Sequence, residues 1–143
     1  MKLFLDTGVL IAAIGSDGGT ARFIIEAAAV RGWDLLTADY CVEETRRNWS
    51  KLRQSPAVSA HVWKTVILPR MEILPVRLVL NKPLLFPKTK DRPVVVSALA
   101  AECDWLITFD KGDFHARLGP AVYGVSIGTP KEFLLDQIRD GEI

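Results

Sequence analysis

The sequence predicts an α/β fold: a single domain over residues 1–143, built on a parallel β-sheet of about five strands with helices on both faces. Two observations carry this expectation. Short, wholly apolar runs of the kind found in buried parallel strands alternate with longer stretches of helical periodicity. Several of the helical stretches also open on a small polar cap, or on a cap followed by proline, which marks where they start. Alternating strands and helices imply parallel pairing through crossover helices, with both faces of the sheet covered.

Taken in order, "KLFL" is a buried strand that ends at Asp6. "GSDGG" is a loop, after which Thr20 caps a helix over "ARFIIEAAAVRG" that Gly32 stops. "WDLLTA" is the second strand. In "ADYCVEETRRNWSKLR", Cys41 or Val42, Thr45, Trp49 and Leu52 recur at helical spacing. Ser55 and Pro56 are the cap and first turn of a helix over "AVSAHVWKTVILPRM", and "EILPV" is the third strand. "NKPLLFPKTKDRP" is a loop, rich in proline and lysine. Asp91 caps a helix over "RPVVVSALAAEC" with Pro93 in its first turn, and "DWLIT" is a buried strand running out to Asp110. A short helix around "DFHARLG" and a strand "VYGVSI" follow. The last helix, "TPKEFLLDQIRDG", has Thr129 as cap and Pro130 in the first turn. Trp33, Trp49, Trp63 and Trp105 are assigned to the core, and His61 and His115 to no site.

With 49% hydrophobic and 24% charged residues the chain has the composition of a globular domain. No apolar run approaches the roughly 18 residues that span a bilayer. "MKLFLD" meets an acid where a secretory signal would carry a basic and then an apolar segment, so a cytoplasmic protein with no membrane association is expected. Cys41 and Cys103 have no metal-type spacing and are expected to be buried free thiols. The net charge of +1 conceals a segregation. Residues 45–92 hold 11 basic and 2 acidic side chains, whereas the segments before and after are each acidic by four charges. A basic middle of this kind suits either a solvated face or a polyanion.

In an open parallel sheet, ligands bind beyond the carboxyl ends of the strands. Asp6 and Asp110 each follow a buried strand with a threonine close by, so both belong to that edge. A helix returning antiparallel to the sheet starts there too, which brings Asp91 to the same edge, together with Glu43 or Glu44 from the helix after the second strand. Asp113 lies three residues beyond Asp110. Two carboxylates about 4 Å apart repel by about 4 kcal/mol at an effective dielectric near 20, so such a cluster calls for protons or cations. All-oxygen donors suit Mg²⁺ or Mn²⁺, and the lack of a matching His or Cys argues against zinc. An acidic cluster holding such ions serves phosphodiester cleavage.

Two other readings of the first motif fail on the same residues. "LDTG" has the letters of an aspartic-protease half-site, but that all-β fold leaves no place for the helices expected here. A haloacid-dehalogenase phosphatase also begins with a strand ending in Asp, but it needs a second Asp two positions on, where this chain has Gly8.

"LDTGVLIAA", "VEETRRNW", "KDRPVVVSALAAECDWLITFDKGDF" and "GTPKEFLLDQI", in this order, resemble the motifs of the PIN-domain family, many of whose members are metal-dependent ribonucleases, and among these its VapC-like toxins. The resemblance covers essentially the whole chain. It implies a ribonuclease dependent on Mg²⁺ or Mn²⁺, with Asp6, Glu44, Asp91 and Asp110 as the catalytic carboxylates. Asp6, Asp91 and Asp110 would hold the metal, with Asp113 at its margin. The family's glutamate position favours Glu44 over Glu43, and Thr7 and Thr108 would orient carboxylates or water. Arg46, Arg47, Lys51, Arg53, Lys82, Lys88 and Lys90 would then flank the pocket and hold the RNA backbone. The resemblance further implies an antitoxin protein as partner and a homodimer. Two departures bear on the metal. Gly8 stands where the family often has Asn or Ser, and the second acid of "DKGD" comes one residue later than is common. They leave a second reading, a scaffold that binds RNA or protein with a weakened metal site.

Overall fold

Leu3, Phe4 and Leu5 of β1 (Lys2–Leu5) are all completely buried, although successive side chains leave a strand on opposite faces. The sheet is therefore covered on both sides, as its apolar runs require. The computed structural model describes residues 1–75, 102–110, 121–122 and 124–141. Helix α1 (Thr7–Gly15) starts immediately after Asp6 and buries Val9, Leu10, Ala13 and Ile14. The sequence reading passes over this helix, because a segment apolar almost all round lacks the polar stripe that marks a helix.

Helix α2 (Thr20–Arg31) follows, and Gly32 ends it in the left-handed conformation at φ 74°. Its N-cap is Gly19 rather than Thr20, and no side chain caps it. A Cβ at Gly19 would lie 2.9 Å from Ser16 Oγ, so a larger residue there would need the serine side chain to turn away. β2 (Asp34–Ala38) leads into α3 (Asp39–Asn48), whose end tightens into a 3₁₀ turn at Trp49–Lys51. Ser55 accepts the Val58 amide and Pro56 opens α4 (Pro56–Val62), as expected. That helix runs on through a π-turn (Trp63–Ile67) and a 3₁₀ turn (Leu68–Arg70) into β3 (Met71–Leu74). The loop before Asp91, the helix after it and the short helix around "DFHARLG" lie outside the described residues.

β4 (Trp105–Ile107), β5 (Ala121–Val122) and β6 (Val125–Gly128) complete the sheet among the described residues. Its order is β3-β2-β1-β4-β6-β5. Five strands are parallel, and β5 pairs antiparallel with β6. The single strand expected over "VYGVSI" is thus a tight hairpin, turned where Gly124 adopts φ 84°. Helix α5 (Pro130–Arg139) opens on a complete capping box between Thr129 and Glu132. Its Phe133 is fully buried and meets Trp33 and Trp105 edge-on at 5.0 and 5.3 Å.

The strand order places the site. The chain adds β2 and β3 on one side of β1, then returns to its other side with β4. The carboxyl ends of β1 and β4 therefore flank the topological switch point, where parallel sheets open a crevice.

Candidate active site

Asp6 is the residue immediately beyond β1, and its amide donates to the Ile107 carbonyl at the end of β4 (3.0 Å). It is also the N-cap of α1: Oδ1 accepts the Thr7 amide at 2.8 Å, and the backbone carbonyl accepts Val9 and Leu10. Oδ2 accepts the Thr108 hydroxyl at 2.8 Å. Thr108 is fully buried beyond β4, and its hydroxyl oxygen in turn accepts the Asp110 amide at 3.0 Å. Three residues from two adjacent strand ends are thereby locked into one arrangement.

The next strand end joins it. Thr37, buried in β2, donates to the Leu5 carbonyl at 2.8 Å, which ties β2 to the exit of β1. Helix α3 begins at the residue after β2 and packs against α1. In this register Thr7 Oγ1 donates to Glu44 Oε1 at 3.0 Å. Glu44 is half-buried, whereas Glu43 is exposed. The Tyr40 phenol, one turn before Glu44, lies near enough for the Glu44 charge to help raise its pKa. Cys41, fully buried, lies against the same cluster beside Thr7, Thr37 and Asp6.

The electrostatics follow from burial among like charges. Asp6 is 9% exposed, and loss of solvation raises its pKa above the ordinary carboxylate range. The Thr108 hydroxyl and the Thr7 amide oppose that rise, while the negative charges of Asp110 and Glu44 add to it. Burial likewise pushes the Cys41 thiol up to about 12, with the charge of Asp6 contributing, and it raises the Tyr40 phenol as well. Asp6 therefore resists ionisation, and among the described residues no cationic side chain hydrogen-bonds it.

A divalent cation would relieve this, and the donor set matches a hard one: every carboxylate here offers oxygen alone. Among the described residues each Asp6 oxygen accepts from one donor, and a carboxylate oxygen has room for a second partner. Among the described residues no three His, Cys, Asp or Glu side chains converge closely enough to hold an ion by themselves. Asp91 and Asp113 lie outside the described residues, as do Lys82, Lys88 and Lys90. Arg46 and Arg47 are exposed in the last turn of α3, and Lys51 and Arg53 are exposed just beyond it. Two surface clefts, one along Trp105, Glu132 and Arg139 and one along Lys2, Trp33 and Arg70, include none of these carboxylates.

Tyr40 and Cys41 are the members of this neighbourhood that the sequence did not single out. Their one available signal was position: both belong to the first turn of the helix that carries Glu44, one turn before it in the case of Tyr40.

No curated protein matches the chain. Among solved structures, a chain of the VapBC2 complex from Rickettsia felis, crystallised with a DNA fragment from its promoter, superposes with a TM-score of 0.60 at 16% identity. The match covers 89% of this chain and 97% of that one, and it extends the likeness of fold to nearly the whole of both. The profile of the PIN domain matches residues 2–112, from the first residue of β1 past the turn that carries Asp110. With that match over most of its length, the chain belongs to the PIN-domain family.

Proposed function

We propose that this protein is an endoribonuclease that cleaves RNA phosphodiester bonds with the help of Mg²⁺ or Mn²⁺, and that it acts as the toxin of a toxin–antitoxin pair. One observation carries the reading: a buried carboxylate, Asp6, stands at the topological switch point with its pKa raised and with Glu44 and Asp110 as its charged neighbours. Such an arrangement is unfavourable in an idle fold and useful in one that binds a cation and a phosphate. Membership of a family generally made up of ribonucleases supports it.

In this reading Asp6, Asp91 and Asp110 hold the ion, with Asp113 at its margin, and Glu44 shares the site. The bound ion supplies water activation and neutralises phosphate charge. The chain's own residues prepare that site. Thr108 and the Thr7 amide fix both oxygens of Asp6, and the Thr7 hydroxyl fixes Glu44. Arg46, Arg47, Lys51, Lys88 and Lys90 would hold the RNA backbone through charge, independent of sequence. A small antitoxin protein, a homodimer, a single domain and a cytoplasmic location belong to the same proposal; the first is supported by the likeness of fold to a chain of the VapBC2 complex.

Calorimetric titration of Mn²⁺ into the purified chain, its Asp6→Asn variant and its Asp91→Asn variant tests it. Saturable binding that each variant weakens tenfold or more, about 1.4 kcal/mol, is expected. Failure of the wild type to bind would favour the scaffold reading, in which Gly8 and the displaced second acid mark a weakened metal site.

A further inference from the structure

Phe109 stands between Thr108, which holds Asp6, and Asp110, yet its side chain is 51% exposed. Leu106, Ile107 and Thr108 are all buried, and the chain comes to the surface only at Phe109, two residues past the end of the strand. The Asp110 amide then closes back onto Thr108 Oγ1, so the turn that displays the ring is fixed by the same hydroxyl that positions the buried carboxylate. The ring lies over the first turn of α1, where a Cβ at Gly8 would come 3.7 Å from Phe109 Cδ2. Among the described residues the ring is not part of the buried core cluster. It adjoins Asp110 in the chain, on the sheet edge where the crevice opens.

We propose that Phe109 is a stacking platform for an unpaired RNA base next to the phosphate held at the carboxylates, and hence a positioning residue for cleavage. The proposal rests on the ribonuclease reading above and adds what that reading lacks, a contact with the base rather than the backbone. Charge favours this occupant over an apolar protein segment: Arg46, Arg47, Lys51 and Arg53, all exposed after Glu44, suit an anionic strand, and a cation at the carboxylates would offset their repulsion of its phosphates. Every base has a face to stack, so the platform makes the enzyme selective for unpaired RNA without reading sequence.

The test uses fluorescent single-stranded RNA twelve nucleotides long and an abasic ribose-phosphate strand of the same length. Both are titrated into the full chain in Ca²⁺ at fixed ionic strength, with strand integrity checked on gels. Phe109→Ala and Phe109→Leu are expected to weaken binding of the base-bearing strand about tenfold, with the abasic strand unaffected. Phe109→Trp is expected to retain full binding. A 2-aminopurine placed along the strand should be quenched by the wild type and the Trp variant but not by the Leu variant. Mn²⁺ titration of the Ala variant should match the wild type, which separates lost stacking from a damaged site. Equal binding of the base-bearing strand by all four proteins overturns the platform and leaves the ribonuclease reading standing. Absence of binding of either strand by the wild type overturns that reading and the platform with it. A change of sedimentation coefficient in Phe109→Ala would make the ring a contact between copies and would also overturn the proposal.

Discussion

The Thr108 hydroxyl donates to Asp6 Oδ2 at 2.8 Å while accepting the Asp110 amide at 3.0 Å. One buried oxygen thereby couples the ends of β1 and β4 across the switch point. Thr108→Val keeps the shape but leaves a buried carboxylate oxygen without its donor. Loss of a buried hydrogen bond to a charged group costs about 2 kcal/mol. Denaturant unfolding should register that loss, and Mn²⁺ affinity should fall with it. Thr108→Ser should restore both, because the hydroxyl rather than the methyl group makes the contacts.

Asp6 gives a prediction about pH. Its folded-state pKa lies above the unfolded value, so the folded state binds more protons in the window between the two. Stability of the metal-free protein is therefore greatest below the unfolded value and declines as pH rises through the folded one. Asp6→Asn removes the ionisable group while its amide oxygen still accepts the Thr7 amide. At neutral pH without metal, Asp6→Asn removes the cost of ionising a buried carboxyl but also the acceptor of the Thr108 hydroxyl, so the two effects oppose each other and the difference from the wild type should depend on pH. Thermal melts in EDTA at several pH values check this. The variant should lose ground to the wild type as pH falls, and Mn²⁺ should raise the melting temperature of the wild type more than that of the variant.

Neighbouring glutamates separate by helix rotation. Glu44 accepts the Thr7 hydroxyl and is half-buried, whereas Glu43 faces solvent. Glu44→Gln preserves the acceptor for Thr7 but removes the charge, and should lower RNA cleavage at least tenfold, about 1.4 kcal/mol in the barrier. Glu43→Gln should leave cleavage unchanged and stability within about 0.5 kcal/mol. Parallel cleavage assays on both variants decide which carboxylate belongs to the site.

The thiols should be silent. Burial pushes both Cys41 and Cys103 up to about 12. At pH 8 neither should react with a thiol reagent until denaturant is added, when two equivalents should appear. Because the folded thiols ionise later than the unfolded ones, they also withdraw stability as pH rises above about 9, the sign opposite to that of a paired carboxylate.

What the sequence made legible is what local chemistry dictates. Apolar runs ending in Asp6 and Asp110 mark strand ends, and Thr129 with Pro130 marks a helix start; each depends on a few adjacent residues. Features set by backbone conformation or by packing were not legible. Gly19 rather than Thr20 is the cap of α2, and β5 turns back at Gly124, where the backbone takes a left-handed conformation. Helix α1 escaped notice because its less buried side is apolar too, with Ile11 and Ala12 there, which erases the periodicity that reveals a helix. The placing of Tyr40 and Cys41 beside Asp6 depends on how α3 packs on α1, a tertiary fact that their position in the first turn of α3 does not fix by itself.

Arg22 is a further case of that kind, a charged residue of α2 that is only 6% exposed. Its Nε donates to the Ala13 carbonyl at 2.6 Å and its Nη2 to Ile14 at 3.4 Å, closing the carbonyl end of the helix that Asp6 caps at the other. Its ion pairs contribute little, because the Asp17 side chain is 92% exposed and that of Glu26 50%. The carbonyl contacts therefore dominate. Arg22→Met fills the space but leaves the Ala13 carbonyl without its donor, and should cost about 2–3 kcal/mol in denaturant unfolding. Arg22→Lys should rescue little of this, since a single ammonium cannot reproduce the planar fork that reaches both carbonyls. Asp17→Asn should be nearly neutral, which separates the carbonyl contacts from the charge pair. Mn²⁺ binding by the folded Arg22→Met protein should equal that of the wild type, because the substitution lies at the end of α1 remote from Asp6.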